Sequence, residues 1–136
     1  MNRTDIEREI IELHEFFEGW FTGSLEQTDE QFSRVSAVLA DGFVLVSPGG
    51  DLDEREPLLE GSRSAYDGRP SDFRIWIEDV EVRHSRGDVT VVTYEEWQQS
   101  GDDEPTCRLS TVVFAEAQRT PNGVEWLHVH EVWRQA

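Results

Sequence analysis

The residues whose types and spacing most readily suggest chemistry lie in the C-terminal half. His128 and His130 stand two apart in a run rich in Val and Trp, 125–133. Successive strand residues face opposite sides of a sheet, so this H-x-H puts both imidazoles on one face, about 6–7 Å apart. Such a spacing suits two ligands of a metal, or a general acid and base. A metal needs at least a third protein ligand, for which Glu96 is the same-face candidate. The better reading has no metal: neutral imidazoles hydrogen-bonded in a pocket wall, with His130 as proton shuttle near neutral pH.

Glu96 and Arg108 form a second constellation, on the β-rich runs 88–98 and 107–116. If even positions pair with even ones, Glu96 lies near Arg108, and Ser110 near His128 or His130. A buried Glu is costly unless paired, and Arg supplies a bidentate partner. The pair then either neutralises itself inside the sheet or leaves Arg108 to anchor an oxyanion or carbonyl oxygen, with Glu96 orienting it. Weaker signals surround these. Asp51-x-Asp53-Glu54-x-Glu56 lacks the spaced ligands and closing Glu of a calcium loop and reads as a solvated helix start. Cys107 carries no sign of activation. His14 lies beside Leu13 and faces pocket or solvent, and His84 sits in an exposed turn.

The elements that position these residues are legible from periodicity. Thr4 to Glu7 reads as a capping box, and Ile6, Ile10, Leu13, Phe17 and Phe21 recur at helical spacing, predicting a helix over 5–22. Thr28 to Gln31 repeats the signature and opens a second helix ending near Asp41-Gly42. A short strand, 43–47, comes next, then a weaker helix over 53–66 with Pro57 in its first turn. From Phe73 the period becomes two, in runs 73–83, 88–98, 107–116 and 125–133 joined by hairpin signals. The order is that of an α+β fold: helices gathered on one face of a curved, mainly antiparallel sheet.

Composition removes several classes of partner. The 136 residues suit a single domain, 1–136, and the 12 basic residues, every one of them Arg, face 29 acidic ones for a net charge of −17. That field repels nucleic-acid phosphates and anionic membrane surfaces alike. Five Trp and seven Phe in patterned segments argue for a packed core over disorder. One Cys, with no charged n-region and apolar h-region at the start, places the expectation in the cytoplasm. The absence of Lys beside so many carboxylates suggests a saline cytoplasm, where self-repulsion is screened.

Taken together, these pieces resemble the SnoaL-like branch of the nuclear-transport-factor-2-like superfamily. The matching segments are the first helix with Phe16-Phe17 and Trp20; Ala40-Asp41-Gly42-Phe43 leading into Leu45-Val46-Ser47-Pro48-Gly49-Gly50; Gly87-Asp88-Val89-Thr90-Val91-Val92; and 125–133. The resemblance implies a cone whose concave sheet face and helices enclose a pocket, in a homodimer joined through the sheets. It also decides which strand face is inside. Composition alone would bury the more apolar odd set (Val91, Leu109, Val113, Val129), whereas the family places the even set in the pocket. In the resembling association domain of calcium/calmodulin-dependent kinase, pocket arginines stand where Glu96 and Val112 stand here, so the acidic groups those arginines serve are not expected.

The resemblance therefore implies a pocket for a small organic ligand, lined by Phe16, Trp20, Tyr66, Trp76, Glu96, Arg108, Ser110, Trp126 and His128, with no cofactor. On this reading the chain is a small-molecule-binding homodimer of unassigned activity. The alternatives are an isomerase, dehydratase or cyclase and a non-catalytic dimerisation module. In the enzymatic alternative, His130 moves a proton α to a carbonyl while Tyr94 or Arg108 holds the enolate oxygen. The charge reading yields its own test: in a KCl melting series stability is expected to rise with salt, and a flat or falling series overturns the saline-cytoplasm expectation.

Overall fold

Helical periodicity at the start and a two-residue period after Phe73 give a helical layer over a sheet in the computed structural model, which describes residues 1–134. The first helix, α1, spans Arg3–Phe21 and buries the stripe Ile6, Ile10, Leu13, Phe16 and Trp20. It starts earlier than the Thr4 signature predicts, because the Asn2 side chain accepts from the Asp5 N–H at 2.9 Å. Asn caps at least as well as Thr, and the earlier start adds helical residues.

Helix α2, Asp29–Ser36, carries the expected cap, with the Thr28 side chain accepting from the Gln31 N–H. It ends before the predicted Asp41-Gly42 boundary because the chain is drawn into the sheet: the Val38 carbonyl accepts from the Trp126 N–H at 2.8 Å, and β1 runs Leu39–Val46. The predicted helix over 53–66 divides into a short β2, Leu52–Glu54, and α3, Arg55–Ser64, with Pro57 in the first turn. The long strands are β3, Phe73–Arg86; β4, Val89–Ser100; β5, Thr106–Glu116; and β6, Val124–Arg134.

The α+β fold is as expected, with one topological addition. The sheet has six strands in the order β2-β1-β6-β5-β4-β3, and β1 lies parallel to β6, so it is mixed. No described helix is long and apolar enough to cross a membrane.

The inner face takes the even positions on β4 and β5, where Val92, Tyr94, Glu96, Ser110, Val112 and Phe114 are buried beneath the helices. On β6 that parity breaks. Phe114 pairs with Trp126, but Val113 pairs with His128, so Leu127 is an extra residue on β6 and forms a bulge. Beyond it Val129 and Glu131 turn inward, while His128 and His130 turn outward. A one-residue slip in a two-residue period exchanges the faces of every residue beyond it.

The layers are tied together at Glu9, which is 0% exposed. Its carboxylate accepts from both terminal nitrogens of Arg34 on α2 at 3.2 and 2.8 Å, from Asn122 Nδ2 before β6 at 3.1 Å, and from Trp126 Nε1 at 2.9 Å. Removing the carboxylate strands the buried Trp126 indole N–H and leaves Arg34 and Asn122 only the partly exposed Glu12 as a carboxylate partner. Glu9→Ala is therefore expected to cost about 3–5 kcal/mol in urea denaturation, and a loss under about 1 kcal/mol counts against this role.

Candidate functional site

Between the helices and the concave sheet face lies a cavity of about 280 Å³. Its upper wall is apolar, from Leu13, Phe17 and Phe21 on α1, Phe43 on β1 and Leu58 on α3. Helical spacing puts Leu13, Phe17 and Phe21 on one face, and the Phe17 and Phe21 rings stack at 5.4 Å. The floor is polar: His14, Tyr94, Glu96, Gln98, Arg108 and Glu131 all reach it. Arg69 stands at the rim, exposed, with its guanidinium over the Phe73 ring.

Glu96 and Arg108 are cross-strand neighbours, as the even-with-even pairing predicts, yet they do not form the ion pair. Glu96 Oε1 meets His14 Nε2 at 3.1 Å, and its other oxygen accepts from Gln98 Nε2 at 2.6 Å. Arg108 donates to Glu131 Oε1 at 3.1 Å and lies over the Trp133 ring. The bulge at Leu127 is what brings Glu131 into reach, by setting it opposite Ser110. Among the described residues Arg108 Nε, a buried atom, has no hydrogen-bond partner, and neither has Ser110 Oγ, which packs beside the Tyr94 phenol.

The protonation of His14 is set by its neighbours. Nδ1 lies 2.7 Å from the Ile10 carbonyl, which can only accept, and Nε2 faces a carboxylate. Both ring nitrogens must then donate, which makes the ring an imidazolium. Burial opposes that charge, but the Glu96 carboxylate and the hydrogen bonds to Glu96 and Ile10 outweigh it and raise His14 above 6.5. Burial likewise works against the Glu96 anion, yet His14, Gln98 and Arg108 hold it down at about 2. Glu131 moves the other way: burial and the Glu96 charge push it up despite Arg108. Tyr94, desolvated and facing both carboxylates, is raised well above 10 and stays a neutral phenol.

The expected site residues separate into three groups. Tyr94, Glu96, Arg108 and Trp126 line the cavity, with Ser110 buried behind it. Phe16 and Trp20 are core, Trp20 donating to the Ser62 carbonyl, and Tyr66 donates to the Leu25 carbonyl. The third group is on the wrong side of the sheet for the expected role. Trp76 stacks on Trp97 and donates to Glu78 on the outer face, and the bulge turns His128 and His130 outward, which corrects the assignment of His130 as proton shuttle in the pocket. Ser110 consequently faces Glu131 and neither histidine. The sequence reading missed Glu131 and Gln98 and left His14 undecided. Its position one residue after Leu13 on the buried stripe was the available signal. Among the described residues no group of three or more His, Cys, Asp or Glu stands together as a metal-ligand set.

Comparison with known proteins alters the family. The model of the family described as sucrose-6-phosphate phosphohydrolase C-terminal matches residues 6–135. Sucrose-phosphatase 1 of Nicotiana tabacum is 27% identical over 128 residues, covering 93% of this chain and 30% of the relative. Probable sucrose-phosphatase 2 of Arabidopsis thaliana is 25% identical over 126 residues, covering 92% and 29%. The chain thus spans under a third of the length of the curated relatives it matches. An NTF-2-like protein of unknown function from Pseudomonas aeruginosa superimposes with a TM-score of 0.84 at 27% identity, over 96% of this chain and 99% of that one. The S. rosetta CaMKII hub does so at 0.64 and 18% identity, over 76% and 82%, and shows the fold alone.

The nuclear-transport-factor-2-like fold stands, but the SnoaL-like assignment is overturned by the family match. With it falls the reading as a SnoaL-like ligand-binding homodimer of unassigned activity, and neither the carbonyl-enzyme alternative nor the dimerisation-module alternative gains better support.

The His14–Glu96 pair sets a pH window. A raised His14 stabilises the fold fully below pH 6.5 and loses that contribution as pH rises through its elevated folded value. A depressed Glu96 contributes fully above 4.5 and loses it as pH falls through about 2. The pair is therefore expected to contribute most between 4.5 and 6.5, with stability declining above that range, and the decline from His14 should vanish in His14→Gln. An NMR titration of the imidazole checks the cause: a midpoint at or below 6.5 removes it.

Proposed function

The chain belongs to the sucrose-6-phosphate phosphohydrolase C-terminal family, and on that premise we propose that it is an accessory domain of a sucrose-phosphatase system, acting beside the phosphohydrolase and not cleaving the phosphate ester itself. The match to a C-terminal family over 6–135, covering only 30% of the tobacco relative, carries this reading. The cavity's electrostatics support it. Phosphoryl transfer is driven by cations aimed at the phosphate oxygens. Here the two cations of the cavity floor, buried His14 and half-buried Arg108, each already face a carboxylate, so an incoming phosphate meets Glu96 and Glu131 as well.

Two measurements test the proposal together. The purified chain is expected to release no phosphate from sucrose 6-phosphate. Transplanted in place of the matching region of the tobacco enzyme, it is expected to restore activity lost on deleting that region. Phosphate release by the chain alone, or a transplant no better than the deletion, overturns the reading.

A second copy of the chain is the proposed partner. The register sets Val91 and Thr93 of β4, Leu109, Thr111 and Val113 of β5, and His130 and Val132 of β6 on the outer sheet face. Carboxylates are sparse there in a chain of net charge −17, and Glu95 is bridged to Arg134. Copies that repel elsewhere can approach on this face. Neighbours described as a hub or an association domain support self-association through this fold. Light scattering is expected to give a dimer, and Val113→Glu a folded monomer; a monomeric wild type removes the proposal.

A further inference from the structure

We infer that the cavity is a binding site for a neutral, polyhydroxylated ligand: a sugar of one or two rings that carries no phosphate. The inference rests on the sucrose-phosphatase-related reading and adds the ligand class. Its first support is the charge balance of the floor. His14 and Glu96 make one ion pair, and Arg108 and Glu131 the other. Each of these floor charges is already compensated, so a charged ligand is desolvated without gaining an uncommitted counter-charge there. Arg69 at the rim remains in solvent, where a single ion pair is worth little.

The hydrogen-bonding inventory is the second support. Arg108 Nε is a buried donor with no acceptor among the described residues. Gln98 spends its amide nitrogen on Glu96, which leaves its carbonyl as an acceptor beside the cavity. Glu131 receives Arg108 on one oxygen, and an ionised carboxylate has about four lone-pair sites. The floor thus asks for groups that donate and accept in alternation, and the hydroxyl does both. Opposite it, Phe17 and Phe21 present the apolar surface against which the C–H face of a sugar ring packs.

Size agrees with that class. At about 280 Å³ the cavity lies just under the range of about 300–1,000 Å³ usual for small-molecule sites, which favours a compact ligand. A phosphate ester of the same sugar has to bring a dianion between two carboxylates in a chain of net charge −17. The site therefore prefers what a sugar phosphohydrolase releases over what it consumes, and acts as a product-sensing or product-retaining pocket.

Calorimetric titration, with tryptophan emission as a second readout because Trp126 lines the cavity, tests this on the whole chain. The probes are sucrose, glucose and fructose against sucrose 6-phosphate. At least one neutral sugar is expected to saturate the site, with the phosphate ester about tenfold weaker or worse. Gln98→Leu should weaken the sugar by about tenfold while His84→Ala, exposed and outside the cavity lining, leaves it unchanged. Absence of saturation by every neutral sugar, or equal or tighter binding of the ester, overturns the inference on the wild type alone. An unaffected Gln98→Leu also overturns it. A chain that restores the tobacco enzyme but binds no sugar defeats this inference and leaves the accessory role standing; binding without restoration does the reverse.

Discussion

One buried carboxylate organises the molecule. Glu9 lies in the middle of α1 with no exposure, and donors converge on it from α2, from the segment before β6 and from the indole of Trp126. An isolated carboxylate at that depth would be prohibitive, so α1 can pack on the sheet only where all of those donors arrive together. The requirement holds Trp126 under α1, facing inward, and fixes the level at which β6 enters the sheet. The main-chain bond from Trp126 to the Val38 carbonyl adds β1 as a parallel neighbour. The cavity lies beside this clamp, lined by residues of α1 and of the inner faces of β4 and β5.

The stretch of β6 beyond Trp126 decides the character of that space. Had the strand continued without interruption, His128 and His130 would point into it, and the floor would present two imidazoles to Glu96 and Arg108. The bulge at Leu127 exchanges them for Val129 and Glu131. Two carboxylates and two cations then share the floor, and they sort into pairs across elements: Glu96 with His14 of α1, Glu131 with Arg108 of β5. Such buried pairs add little net stability, since desolvation consumes most of the Coulombic gain, but their directionality fixes each side chain in one orientation. A floor of oriented, mutually neutralised groups suits recognition of hydroxyls better than capture of an ion.

The same fold carries unrelated tasks, and the shape of the cone says little about which one this chain performs. Its neighbours by shape include a hub domain at 18% identity, which shares architecture only. Sequence-level kinship over nearly the whole chain is what separates a sucrose-phosphatase-related domain from the SnoaL-like branch. The net charge of −17 belongs mostly to the outer surfaces of helices and turns, and the interior uses its few carboxylates in pairs.

Element types were legible in the sequence because they depend on local periodicity, as the buried stripe Ile6, Ile10, Leu13 shows, and so was the grouping of Tyr94 with Glu96 on one strand face; that this face is the inner one came from the family resemblance, since composition favoured burying the odd set. Turn signals likewise located the antiparallel hairpins from β3 to β6. The parallel docking of β1 on β6 was not legible, because it joins segments more than eighty residues apart through main-chain bonds that leave no side-chain pattern. Nor was the choice of partner for Glu96, which prefers a histidine eighty-two positions away to the arginine directly across the strand pair. The decisive case is β6, where alternation from Trp126 to His130 reads as one unbroken face. A single extra residue at Leu127, inserted where long-range packing holds Trp126 under α1, reverses that face. Periodicity determines which residues can share a side; only the packed tertiary structure decides where the count restarts.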